Sequence, residues 1–320
     1  MYYSIRHVTK FRYSEPITES VVDLRMQPRS EGGQRCFSFD LRTSPKAAVT
    51  AFMDHLQNRV HHFDVPDRHA HLTIRAESLV EILPFPLLPD TLDAGAWGEL
   101  DAMTATDEYW DMLVPSHFAH PTDRLRALGQ ELRIARRDDP LSTLLELNTA
   151  IHDSFEYDTG STHVDSPIDE ALASRHGVCQ DFAHIMIALV RQLDIPCRYV
   201  SGYLYHRAED HDRSPVDATH AWIEALLPGL GWVGFDPTNN LLARDRHIRV
   251  AVGCDYADVP PTRGVFKGRA ETALAVSVRV SPSEAPPADE PDEEEAEPVY
   301  RRTRVLDRLP EDDLQEQPQQ

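Results

Sequence analysis

Alternating apolar and polar residues dominate the first quarter of the chain. Tyr3 to Tyr13 is rich in Ile, Val, Thr, Phe and Tyr, and Gln34 to Thr43 alternates through Phe37, Phe39 and Leu41, a period of two that predicts strands. Val21 to Met26, Val60 to Asp64 and His71 to Val80 fit further short strands, separated by Pro, Gly, Asn and Asp. Many short strands with such breaks predict an N-terminal β-sandwich over residues 1–85. The cluster Leu83-Pro84-Phe85-Pro86-Leu87-Leu88-Pro89 cannot continue a central strand and reads as an extended connector, so the boundary falls there.

Past the connector the period lengthens to that of a helix. Asp123 to Ala135 carries Leu125, Leu128 and Leu132, and Asp139-Pro140 supplies a cap and a proline at the first helical position ahead of Leu141 to Phe155. Ser166 to Ser174 fits a short helix. Val178, Phe182, Ile185, Leu189 and Leu193 form the apolar stripe of a core helix that begins just after Gly177. Three strand-like runs follow Pro196, namely Cys197 to Tyr205, Ala218 to Leu227 and Trp232 to Phe235, and Val265 to Val280 adds more strand signal. The expected fold class is therefore α+β: a β-sandwich, then residues 86–280 with helices packed on an antiparallel sheet, then a tail.

That tail, residues 281–320, holds 13 acidic and 4 basic residues, seven prolines, no glycine and one aromatic, and it carries -9 of the net charge of -21. Such a segment buries too little apolar surface to offset its ordering entropy, which predicts disorder. Its Asp292-Glu293-Glu294-Glu295 run reads as solvated, with weak calcium binding or a basic partner as the alternatives. The acidic balance of the whole chain disfavours nucleic acid as a partner. The opening residues lack a basic and then apolar leader, and the longest apolar run, Ile185 to Val190, is far too short to span a bilayer, so a cytoplasmic protein without a membrane partner is expected.

Four cysteines, Cys36, Cys179, Cys197 and Cys254, are scattered without a C-x-x-C pair, which argues against a zinc site or a disulfide framework. A thiol becomes a nucleophile as thiolate, and Cys179 alone sits at a predicted helix N-terminus, where unpaired N–H groups and the macrodipole favour negative charge. The same N–H groups can hold an oxyanion, and Gly177, without a Cβ, allows a sharp entry to the helix and close approach of a substrate backbone. A nucleophile also needs a base. In Ala218-Thr219-His220-Ala221-Trp222-Ile223-Glu224 alternation puts His220, Trp222 and Glu224 on one face, and Gly234-Phe235-Asp236-Pro237-Thr238 ends the next strand, so Asp236 can come beside His220 and fix its tautomer.

The blocks Gly177-Val178-Cys179-Gln180-Asp181-Phe182-Ala183-His184, Arg198-Tyr199-Val200-Ser201-Gly202-Tyr203, Thr219-His220-Ala221-Trp222 and Phe235-Asp236-Pro237-Thr238 occur in the order seen in the bacterial transglutaminase-like family, which the chain closely resembles. Ile5-Arg6-His7-Val8-Thr9 and Leu24-Arg25-Met26-Gln27-Pro28-Arg29 resemble the β-rich N-terminal domain of one bacterial branch. The resemblance covers about residues 1 to 280. It implies a papain-like core with Cys179, His220 and Asp236 at the family's cysteine, histidine and aspartate positions. It further implies acyl transfer from a peptide or protein amide through a thioester, without metal or cofactor. Water as acceptor gives an amidase or peptidase, the outcome slightly favoured because nothing marks an amine site, whereas an amine acceptor gives transglutamination. An inert interaction scaffold is the alternative of another class. At Gly253-Cys254-Asp255-Tyr256 the family pattern leads one to expect arginine in place of Cys254, which puts a contact to Asp255 or to a substrate carboxylate in doubt.

Other candidates carry plainer readings. Gln180 is a substrate or oxyanion candidate by position beside Cys179, and Tyr157 a candidate oxyanion donor. Trp222 and Trp232 are packing residues or an aromatic wall for an acyl chain. His184 lies about 140° around the helix from Cys179 and reads as structural. Asp181 offsets the helix dipole. His55, His61, His62, His69 and His71 invite a metal reading, but His61 and His62 point to opposite faces of a strand, and a solvated surface is expected.

Overall fold

The computed structural model describes residues 1–207, 209–284 and 314–319. Six strands open the chain: β1 (Tyr2–Ile17), β2 (Glu19–Leu24), β3 (Gln34–Ser44), β4 (Thr50–Met53), β5 (Arg59–Val65) and β6 (His69–Ile82). Helices α1 (Ala96–Thr104), α2 (Asp123–Glu131) and α3 (Pro140–Ser154) follow, then β7 (Glu156–Tyr157), α4 (Ile168–Ser174), β8 (His176–Gly177) and α5 (Cys179–Arg191). Strands β9 (Cys197–Leu204), β10 (His220–Leu227), β11 (Gly231–Asp236), β12 (Leu241–Ala243) and β13 (His247–Gly253) come next, and β14 (Thr262–Lys267), β15 (Thr272–Ser283) and β16 (Leu314–Glu316) end the described chain.

The sandwich pairs one sheet of order β15-β1-β6-β3 with another of order β16-β14-β2-β5-β4. Along β1 nearly every second side chain from Tyr3 to Tyr13 is buried, as period two demands. Phe11, Tyr13, Leu24, Phe63, Leu72 and Phe266 fill the space between the two sheets. At its other end the same β1–β6 face, through Tyr3, Ile5, Val80 and Ile82, packs on Tyr203, Ile248 and Val250 of a third sheet. That sheet, of order β12-β11-β10-β9-β13, carries α5 on its opposite side.

Two expectations change here. The strand signal at Val265 to Val280 does not join the second unit, residues 86–280. Instead β14 pairs antiparallel with β2, and β15 with β1 from Tyr2↔Ser283 to Tyr13↔Thr272, so the chain returns to complete the sandwich. Hydrophobic alternation defines a strand but not its partner. The tail also departs from uniform disorder. β16 pairs antiparallel with β14, and the Gln317 side-chain amide donates to the Tyr13 hydroxyl at 2.7 Å. The rest of the tail, residues 285–313 with the Asp292–Glu295 run, lies outside the described residues.

Helix boundaries follow local chemistry. The Asp139 carboxylate accepts from the Leu141 and Ser142 N–H groups and so caps α3, with Pro140 at the first helical position. α2 stops at Glu131, short of Ala135, because Arg133 takes a positive φ of 52°. α5 is buried along all but its first residue, covered by β9 and β10 below and α2, α3 and α4 above. Arg191, in its last turn, is buried with its guanidinium donating to the carbonyls of Met112, Val114, Cys197 and Cys254 and to the Ser116 hydroxyl. Such a full set of acceptors makes a buried cation tolerable.

Candidate active site

Cys179 is the first residue of α5, partly buried, and Gln180 the second, so their N–H groups have no partner within the helix. The entry is fixed by Asp181, whose carboxylate accepts from the Val178 N–H at 2.8 Å and from the Thr162 hydroxyl at 2.6 Å. Burial pushes the Asp181 carboxyl up, and these two bonds oppose the shift. A Cβ on Gly177 would stand 2.9 Å from the Asp181 Cβ, so only a residue without one fits against this cap. Parallel pairing of β7 with β8 sets Tyr157 opposite Gly177. Burial, and then the charge of Cys179, pushes the Tyr157 hydroxyl far above its usual range, which keeps it protonated and able to donate.

His220 opens β10 and Asp236 closes β11, and both are buried. The His220 Nε2 lies 2.8 Å from the Asp236 Oδ2. The His220 Nδ1 is buried without a hydrogen-bond partner among the described residues. Burial opposes a charge on this ring, but the Asp236 carboxylate outweighs it and the Cys179 thiol adds to the effect, pushing the imidazole up to about 10. Asp236 is likewise opposed by burial, and His220 and His247 hold its carboxyl well below the usual range. His220 and Asp236 are thus brought together, and the same imidazole feels the charge of Cys179.

The remaining candidates separate. The Gln180 side-chain amide donates to the Val164 carbonyl at 2.8 Å, which ties it to the preceding loop. Trp222 is fully buried and stacks on His220 with ring centroids 6.1 Å apart and planes at 28°. His184 packs face to face with Phe118 and accepts from the Tyr256 N–H, a structural arrangement. Near Cys254 the Asp255 carboxylate accepts from the Phe118 and Ala257 N–H groups, so backbone donors hold it where an arginine was expected. The three other thiols are pushed up by burial, Cys36 and Cys197 to about 11 and Cys254 to about 12.

Two neighbours escaped the sequence reading. Asn239 donates from Nδ2 to the Asp236 Oδ2 at 2.9 Å, and the Thr238 and Asn239 N–H groups reach Oδ1 at 3.1 and 3.2 Å. The Asp-Pro-Thr-Asn string is a recognisable turn in which Asp binds its own downstream backbone, so that signal was present. His247, first residue of β13, places its Nε2 3.0 Å from the Asp236 Oδ2. Nothing local could reveal it, since β13 pairs with β9 and the sheet order alone brings it near. Among the described residues, His220, Asp236 and His247 are the group whose ligand atoms converge closely enough to hold a metal ion. Both ring nitrogens already meet Asp236 at hydrogen-bond lengths and its second oxygen takes two backbone donors, an arrangement that suits a proton network. His61, His62, His69 and His71 do not gather into such a group; His62 pairs with Asp23 at 2.7 Å and His69 meets the Ser20 hydroxyl at 3.2 Å.

Comparison with known proteins agrees with this architecture. Residues 126–237 match the model of the transglutaminase-like superfamily, and residues 3–81 that of the bacterial transglutaminase-like N-terminal region. An uncharacterised protein of Mycobacterium tuberculosis H37Rv is 35% identical over 303 residues, covering 88% of this chain and 93% of its own. A protein-glutamine gamma-glutamyltransferase of Pseudomonas aeruginosa is 32% identical over 127 residues, 37% of this chain and 19% of its own. A crystal structure from Cytophaga hutchinsonii, of a candidate cysteine protease, superposes with a TM-score of 0.68 at 20% identity, covering 90% of this chain and 93% of its own, and so shares the fold. The chain belongs to the transglutaminase-like superfamily, with the bacterial N-terminal region ahead of its core.

Proposed function

We propose that the protein is a cysteine enzyme acting on amide or peptide bonds, with Cys179 as nucleophile, His220 as base and then acid, and Asp236 as orienter. The observation that carries this reading is the buried pair of His220 with the Asp236 carboxylate, with the charge of Cys179 acting on the same imidazole and the His220 Nδ1 unpartnered among the described residues. The Cys179 proton passes to His220, and the sulfur attacks the amide carbonyl carbon. The oxyanion that forms can be met by the N–H groups at the start of α5 and by the Tyr157 hydroxyl. His220 returns the proton to the leaving nitrogen, the C–N bond breaks, and a thioester remains on Cys179. Asp236, held by five donors, keeps the imidazole in one tautomer and one orientation throughout.

Hydrolysis of that thioester is the favoured outcome, since nothing in the sequence marks an amine site and water is always available. Likeness to the Pseudomonas aeruginosa gamma-glutamyltransferase favours the second reading, transfer to an amine. Incubation with a glutamine-containing peptide, followed by mass measurement of the intact protein, should show an acyl adduct on Cys179 that is lost in Cys179→Ala. Adding a labelled primary amine then separates acid from amide product. A protein that gains no adduct and turns over no amide with Cys179 intact would be an inert scaffold, and the enzymatic reading would fall.

A further inference from the structure

Between the sandwich and the outer face of the third sheet lies a cavity of about 560 Å³, a volume suited to a small molecule. Its walls come from the Glu31–Gly33 turn, the Leu83–Leu88 connector and strands β9 to β13, and it includes neither Cys179 nor His220 nor Asp236. Phe85, Leu88, Leu230, Leu242 and Trp232 make it largely apolar, but a charged wall runs through it. There Arg198 meets Glu224 at 2.7 Å and Glu31 at 3.4 Å, and Arg249 meets the same two carboxylates at 3.2 and 3.6 Å. Every member of that set is paired.

Arg244 is not. It lines the cavity, half-buried, and has neither an ion pair nor a side-chain hydrogen bond among the described residues, so the lining carries one arginine in excess on a chain of net charge -21. A second group lacks a partner in the same wall. Trp222 is fully buried and its Nε1–H, which can only donate, meets no acceptor among the described residues. His247 closes the wall and its Nε2 meets the Asp236 carboxylate, so the cavity adjoins the candidate active site without containing it.

We propose that this cavity is a binding site for a small carboxylate with an apolar body, its carboxylate paired with Arg244 and its body against Trp232, Phe85 and Leu242. This holds whatever reaction occurs at Cys179. Phenylbutanoate is a suitable probe and phenylbutanol its uncharged counterpart, each titrated into the full chain while tryptophan fluorescence and the melting temperature are followed. Phenylbutanoate should bind saturably and raise the melting temperature. The alcohol, and phenylbutanoate on Arg244→Ala, should bind at least tenfold more weakly, and Leu242→Trp, which fills the cavity, should abolish binding. Absence of saturable binding to the full chain would overturn the proposal. Equal binding of the alcohol, or equal binding to Arg244→Ala, would also overturn it by showing that no anion is recognised.

Discussion

At Asp236 a single carboxylate oxygen receives His220, His247 and Asn239 at 2.8, 3.0 and 2.9 Å, which fixes the charge that in turn raises His220. If His220 serves as the general acid, the alkaline limb of kcat/KM should fall near pH 10, where the ring loses its proton. Replacing Asp236 with Asn removes the largest favourable partner, so the limb should move to lower pH, toward the ordinary 6.5 of a histidine. A pH profile of both proteins tests this, and an unmoved limb would detach Asp236 from His220. The same shift has a sign for stability. Because the folded value lies above the ordinary one, the stabilisation is fully present below about pH 6.5 and is lost as the pH rises through about 10. The helix start at Cys179 and the meeting of Asp236 with His220 were legible in the sequence, because helix start and strand end are local signals. His247 was not, since it sits across β9 from β10.

Among elements, β10 shows why alternation alone undersold the burial. Ala221, Ile223, Ala225 and Leu227 face α5, while Trp222 packs with Val200 and Val252 on the other side, so all eight residues are buried. On that second side the sheet meets the sandwich through Tyr203, Ile248 and Val250, a long-range fact that no window of sequence contains. Gly202 in β9 is the tightest point of this arrangement. A Cβ there would lie 2.2 Å from the Ile248 carbonyl oxygen and 2.6 Å from the Trp222 ring. Gly202→Ala should therefore cost about 2–3 kcal/mol of stability, read as a lower denaturant midpoint with an unchanged slope. A midpoint equal to that of the parent would show that Trp222 can retreat. α1 escaped prediction for a related reason, because it buries only Ala96 and Leu100 and presents no clear stripe.

Across the whole molecule the sandwich is discontinuous in sequence, its β14 and β15 arriving only after the third sheet is complete. Cleavage in the connector near Leu87, which is 90% exposed, should then leave two pieces that still migrate together on size exclusion under native conditions, held by the β1–β15 and β2–β14 ladders. Separation of the pieces without denaturant would contradict the pairing. The proline cluster marks where the first run of strands ends, but the return of the last strands was not readable, because partner choice is settled by unpaired edges remote in sequence. Since Tyr2 stands opposite Ser283, those two points can be joined by a short loop and the chain reopened at the connector. Such a circular permutant, which forgoes β16, would carry the other sandwich strands in one uninterrupted run after one uninterrupted core, and its assembly would no longer wait for the most distant segments to meet.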